Sequence, residues 1–148
     1  MMLYWIIPFI ILLDQTMKVW ATHEFLLHKA QEITPFFTLS LVHNTGVSFS
    51  LFNNLPYAWI LITLTAGITA LLFYWQLKEK DLLTRIALLI VIGGSVGNII
   101  DRIRLGAVID FLDFHWKHYH WPAFNIADSA VCIGVALILF SLMKRKKI

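Results

Sequence analysis

IALLIVIGGSVGNIIDRIRLGAVIDF, residues 86–111, begins as an uninterrupted apolar run and ends in a block of polar side chains. Ile86 to Ile92 suit a hydrocarbon environment. Gly93, Gly94, Ser95 and Gly97 follow, then Asn98, Asp101 and Arg102, and beyond Gly106 a further acid, Asp110, between Ile109 and Phe111. Ionisable groups are costly in hydrocarbon, so several near one boundary of a membrane helix mark a functional-site hypothesis by default. Helical spacing puts Asn98 on one face with Asp101 and Arg102. Such a group can orient a peptide carbonyl or a phosphate, hold a neighbouring carboxylate, or form a structural salt bridge. Gly93 and Gly97, four apart, allow a second helix to approach closely. Gly106 permits a turn. Apolar neighbours disfavour the charged form of Asp110, which suits a group that must be protonated part of the time.

The rest of the chain has the composition this run demands. Of 148 residues, 59% are hydrophobic and 14% charged, with a mean hydropathy of +0.73. A soluble domain carries roughly 25% charged residues, and a bilayer is crossed by about 20 apolar residues per helix. Four stretches qualify, at about 3–20, 57–76, 83–103 and 123–143, and a single membrane domain over 1–148 without repeats is expected. The net charge of +3 does not indicate nucleic acid, because the basic residues cluster where membrane topology needs them. Lys144-Arg145-Lys146-Lys147 closes the chain, and Lys78, Lys80 and Arg85 flank the link between the second and third spans. Positive residues mark the cytoplasmic side. Both termini are therefore expected in the cytoplasm, with residues 21–56 and 104–122 outside. Arg102, Arg104 and Lys117 oppose the rule, a position that function would explain. The first span lacks a basic leader and carries Pro8, Asp14 and Lys18, so it reads as a retained helix rather than a cleaved signal.

Asp14 and Lys18 stand four apart with the acid first, the favourable order for an ion pair on a helix. The pair neutralises itself and aims at protein rather than lipid, or supports a substrate head group. Thr34-Pro35-Phe36-Phe37-Thr38-Leu39-Ser40-Leu41-Val42 mixes β-branched and aromatic residues, bounded by Pro35 and by Asn44-Thr45-Gly46. This favours a short strand followed by a turn, in a small sheet on the outer surface. Asn125 and Asp128, three apart on the first turns of the fourth helix after Pro122, face the same way. Asn125 can donate to a carboxylate or a scissile carbonyl. Asp128 then lies only about 8 Å into the span, so Asp110 and Asp128 can meet at the outer boundary, where two acids sharing a proton could form an aspartyl-protease centre. The single Cys132 permits no internal disulfide and reads as apolar filler. His115, His118 and His120 match no standard zinc spacing, and with Trp116, Tyr119 and Trp121 they read as an interfacial aromatic belt. No metal is expected.

The ordered set Asp14…Lys18, Asn44-Thr45-Gly46…Phe49-Ser50, Gly93-Gly94…Gly97-Asn98…Asp101-Arg102…Gly106…Val108…Asp110-Phe111 and Phe124-Asn125…Ala127-Asp128 resembles the lipoprotein signal peptidases, the bacterial signal peptidase II family. The resemblance covers nearly the whole chain, and the ordered spacings are far more specific than any single motif. His115–His120 is not part of the pattern. The resemblance implies an all-α polytopic membrane fold of four transmembrane helices with a small extracytoplasmic β-cradle, in the bacterial cytoplasmic (inner) membrane. It implies an aspartyl endopeptidase that removes the signal peptide from diacylglyceryl-modified prolipoproteins, cutting on the N-terminal side of the lipidated cysteine. Asp110 and Asp128 fall on the family's catalytic positions. Asp14, Lys18, Asn44, Gly46, Asn98, Asp101, Arg102 and Asn125 fall on positions that support structure or substrate. Membrane lipids and globomycin-type cyclic lipopeptides are the implied further partners; a monomer is expected, and two acids acting on water need no cofactor.

Two other classes compete on the residues alone. A small transporter or channel could use the intramembrane acids as a proton or ion relay, but it would place them near the midplane and show inverted repeats. A non-catalytic membrane subunit would use the glycine-bearing helix for assembly, and loss of either aspartate would then change assembly rather than turnover.

Overall fold

The computed structural model describes residues 2–25, 30–46 and 58–145. Phe49 and Ser50 of the family pattern, His28, Lys29 and the basic Lys146 and Lys147 lie outside the described residues. A short 3-10 turn, Met2–Trp5, leads into α1 (Ile6–Glu24); β1 (Gln31–Thr34) and β2 (Phe37–Asn44) follow, then α2 (Ala58–Lys78), α3 (Leu82–Leu105), β3 (Val108–Trp116), β4 (Tyr119–His120) and α4 (Ile126–Arg145). Each of the four α-helices is long and apolar enough to cross a membrane. Pro8 sits in the first turn of α1, where its missing N–H costs no intrahelical bond.

α3 is the axis of the bundle and packs against α1, α2 and α4. Small residues make those approaches possible. A Cβ on Gly94 would collide with the carbonyl oxygen of Ala127 in α4, and one on Gly93 would press on Ile10 of α1 at 3.1 Å. The end of the bundle at the α2–α3 link is tied by polar groups. Asp81 accepts from the Thr84 N–H at 2.9 Å as the N-cap of α3, and also from the Ser141 hydroxyl of α4 at 2.9 Å. Arg145 pairs with Glu79 at 2.8 Å. That guanidinium, with the Asp81 and Lys80 N–H groups, holds Glu79 down at about 2. At the other end Gly106, at φ 70°, closes α3 and donates its N–H to the Arg102 carbonyl, a left-handed cap that glycine adopts without penalty.

All four strands lie between helix termini at that second end. They form one antiparallel sheet in the order β1-β2-β3-β4. The sequence reading placed one strand after Pro35; the structure adds β1 before it, with Pro35 and Phe36 as the hairpin turn. It also makes a strand of 108–116, which the sequence reading treated as a turn and an isolated acid. The first four residues of β3 are buried on both faces, so the alternation that betrays a half-exposed strand is absent there. Leu39 pairs with Leu112 and Val42 with Asp110, so β2 carries one extra residue between them. This bulge re-aims the side chains beyond it. Ile109 and Phe111 pack with Ala21, Phe25 and Leu41, while the intervening Asp110 points to the opposite face.

The chain leaving β4 runs back along β3. Trp121 N–H donates to the Phe114 carbonyl at 2.7 Å, and Phe124 exchanges backbone hydrogen bonds with Leu112 at 2.9 and 3.0 Å. This ladder places the start of α4 beside the middle of β3. In thermal unfolding in detergent, Gly94→Ala should lower the midpoint because backbone must move. Gly67→Ala, where a Cβ meets nothing within 4 Å, should gain about 0.5–1 kcal/mol from better helix propensity.

Candidate active site

The site stands on a charged cluster inside the bundle. Lys18 of α1 is 1% exposed and Asp14 is fully buried. The Lys18 ammonium meets Asp14 at 2.8 Å, Asp101 at 2.7 Å and the Asn98 side-chain oxygen at 3.1 Å. Three donors thus find three acceptors, the condition under which a buried charge is tolerable. The spacing of Asp14 and Lys18 pointed to a self-contained pair; the structure recruits Asp101 of α3 to the same lysine. Each acid also holds backbone. Asp14 accepts from the Ala127 N–H at 2.9 Å, in the first turn of α4. Asp101 accepts from the Ile109 N–H at 3.2 Å, at the start of β3. Gly97 leaves the room required, since a Cβ there would stand 2.7 Å from the Asp14 carboxylate.

Gln15, which sequence reasoning passed over, completes the cluster. Its amide donates to Asp101 at 2.9 Å, to Asp14 at 3.2 Å and to the Gly97 carbonyl at 3.3 Å. A polar residue beside Asp14 within an apolar span was the available signal.

Above the cluster, Asn98 and Asn125 connect it to the other two acids. Asn98 donates to Asp128 at 2.7 Å. Asn125, fully buried, donates to Asp110 at 2.7 Å and to Asn98 and the Ile109 carbonyl at 3.2 Å. Asn44 of β2 donates to the second oxygen of Asp110 at 3.0 Å. Asn125 also caps α4: its side chain accepts from the Asp128 N–H at 2.9 Å, and Asp128 accepts from the Asn125 N–H at 3.2 Å. This reciprocal arrangement is a capping box. Asn-Ile-Ala-Asp is therefore a helix-start signal as well as a chemical motif. Gly46 donates to the Asn44 side chain and its carbonyl accepts from Arg102 at 3.1 Å, so Arg102 braces the turn after β2 rather than pairing with Asp101.

Asp110 and Asp128 line one cavity of about 470 Å³ with Asn44, Asn98, Arg102 and the Trp121–Phe124 strip. An apolar groove of about 620 Å³ between α1 and α4 shares Ser129 and Ile133 with it. Cys132 also faces the cavity, a position its apolar surroundings in the sequence did not suggest. Burial raises the Asp110 carboxyl to about 7; the neighbouring Asp128 charge adds to the rise, and donation from Asn44 and Asn125 opposes it. Asp110 is 2% exposed, so desolvation dominates. His115 and His120 stand apart from this site, stacked on each other at 4.8 Å. His115 meets Thr38 and His120 meets Asp113, both at 2.9 Å. Among the described residues no group of three His, Cys, Asp or Glu is placed to hold a metal.

A sequence profile of signal peptidase II matches residues 6–144. The chain belongs to the signal peptidase II family. A lipoprotein signal peptidase of Teredinibacter turnerae is 44% identical over 141 residues, covering 93% of this chain and 84% of the relative. One of Syntrophotalea carbinolica is 42% identical over 136 residues, covering 89% and 84%. A solved bacterial membrane enzyme superposes with a TM-score of 0.89 at 29% identity, covering 98% of this chain and 89% of its own. This signal peptidase II family member is thus a protease and a multi-pass membrane protein, built from four apolar helices and a small antiparallel sheet. Removing the lysine of its buried cluster leaves two acids facing each other in the bundle. Lys18→Met should therefore cost about 3–5 kcal/mol, the cost of breaking a buried pair, measured as loss of unfolding free energy in detergent.

Proposed function

We propose that this chain removes the signal peptide from diacylglyceryl-modified prolipoproteins, cutting on the N-terminal side of the lipidated cysteine, with Asp110 and Asp128 as the catalytic pair. The observation that carries the reading is that these two acids line one cavity and are bridged by Asn125 and Asn98. In the proposed orientation both termini face the cytoplasm and the sheet lies on the extracytoplasmic side of the bacterial inner membrane. The basic residues at the α2–α3 link and after α4 support this through the positive-inside rule.

Two neighbouring carboxylates share the work of acid and base and titrate as a pair. One, ionised, takes a proton from water as the water oxygen bonds to the scissile carbonyl carbon. The other, protonated, donates to the carbonyl oxygen. Collapse of the tetrahedral intermediate breaks the C–N bond, and a proton passes to the departing amine of the lipidated cysteine. The signal peptide leaves with a new carboxylate. Asn44, Asn98 and Asn125 hold the carboxylates in place, and Asp14, Lys18 and Asp101 position the strand and helix that carry them. Arg102 lines the cavity and, through the Gly46 carbonyl, fixes the turn that follows Asn44. General acid–base help of this kind is worth about 10²–10⁴-fold, and positioning of the bond supplies much of the remainder. The apolar groove sharing Ser129 and Ile133 with the cavity gives an acyl chain of the substrate a place beside the dyad. Globomycin-type lipopeptides would block the same cavity, and one chain carries every group the reaction uses, so a monomer suffices. No metal or cofactor enters the reaction.

With a purified diacylglyceryl prolipoprotein in detergent, Asp110→Asn and Asp128→Asn should each lower kcat by at least about 100-fold while remaining folded. EDTA should leave the parent active. Folded variants that still cleave would remove the dyad from the mechanism. The pH profile gives an independent check. The pair must retain one proton, and Asp110 releases its proton near 7, so activity should fall as pH rises through about 7. Asn44 donates to the charged form of Asp110. Asn44→Ala therefore raises its pKa, and the alkaline limb should move to higher pH.

A further inference from the structure

The residues farthest from the dyad along the sheet have no part in the proposed chemistry, yet they gather an unusual surface. The β1–β2 turn and the β3–β4 hairpin end side by side, joined by the His115 N–H donating to the Phe36 carbonyl at 3.0 Å and by the Phe37–Phe114 pair in register. Tyr119 is 83% exposed and Trp116 71%, with Ile33, Phe36 and Trp121 also exposed. Behind them Phe37, Phe114 and Phe124 form a continuous row, with ring centroids 4.8 and 5.9 Å apart. This row carries the aromatic surface along the sheet, with Phe114 itself exposed. Lys117, at φ 56°, makes the turn and sets a cationic group, with the polar His118 next to it, among the aromatic rings.

A cluster of exposed aromatic side chains rimmed by polar residues marks a site of association. Here the partner is indicated by continuity. The sheet emerges from the same end of the bundle as the C-terminus of α1 and the N-terminus of α2, where Trp20 and Trp59 are exposed on helices that cross the membrane. Tryptophan and tyrosine concentrate at that depth because their rings are apolar and their edges polar. We propose that the two hairpin tips form one aromatic wedge that docks into the headgroup–acyl boundary of the bilayer, with Lys117 and His118 at the level of the lipid phosphates. From Asp110 to Trp116 the strand spans about 20 Å, so the wedge is a second point of support well away from the helices. From Tyr119 in the wedge the chain runs on into Trp121–Phe124, which form a wall of the cavity. Docking the tip therefore sets the depth and tilt of that wall relative to the bilayer.

The test uses the full chain in vesicles of phosphatidylcholine and phosphatidylglycerol, with a nitroxide label at Tyr119→Cys in a Cys132→Ser background whose thermal unfolding matches the parent. Collision with oxygen should exceed collision with a water-soluble nickel chelate, as for a label in the interface. A label open to nickel as in bulk water overturns the wedge. So does a label shielded only after prolipoprotein is added, which would make the tip a substrate surface. This readout needs no turnover, so it stands or fails separately from the proposed peptidase reaction. As a second arm, the double variant Trp116→Ser, Tyr119→Ser should cleave several-fold more slowly than the parent in vesicles and equally fast in detergent. An equal loss in both media would overturn a role for the bilayer.

Discussion

The ammonium of Lys18 is the group on which the arrangement of this protein depends. It lies among two carboxylates and an amide oxygen with almost no access to solvent. An ion stripped of water is tolerated only where every donor is answered, and these acceptors come from α1 and α3. The acids that answer it reach further: Asp14 to the first turn of α4 and Asp101 to the first residues of β3. One charge thus ties together the helix that carries Asp128 and the strand that carries Asp110. Asp110 and Asp128 are placed by a structure in which neither takes part in the central ion pairing.

Between that cluster and the cavity stands Asn125, which does three things with one side chain. It caps a helix, donates to Asp110 and touches Asn98, the donor to Asp128. An amide suits this position because it presents donor and acceptor together and stays neutral at any working pH. A carboxylate there would add a further negative charge beside Asp110 and Asp128; an apolar residue would leave the buried oxygen of Asp110 without its shortest hydrogen bond.

The helical part of this architecture was legible because hydrocarbon imposes a simple rule on composition, and the runs around α1, α2, α3 and α4 obey it. The pairing of Asp14 with Lys18 was legible from helical spacing alone, as was the shared direction of Asn125 and Asp128. Long-range relations were not. Nothing local in Asp101 says that it meets a lysine on α1 rather than its neighbour Arg102, and Arg102 turns instead to the Gly46 carbonyl. β3 was hidden because its first residues are buried on both faces, and β1 because Gln31–Thr34 offers too few residues to show a period. Gln15 was masked by its charged neighbour. Family resemblance brought Asn44 and Asp110 into one list; only the register of β2 and β3, displaced by a bulge, explains why the amide reaches the acid.

The exchange of hydrogen bonds between Phe124 and Leu112 is made by backbone atoms, whatever side chains those positions carry. It closes residues 113–123 into a loop whose two ends are pinned together next to Asp110 and Asp128. Chain inserted into or removed from the far part of this loop leaves the pinned ends where they are. The geometry of Asp110 and Asp128 is in this way insulated from the length of the hairpin. Relatives would then be free to lengthen or shorten the outer tip while the two acids beneath it keep their places.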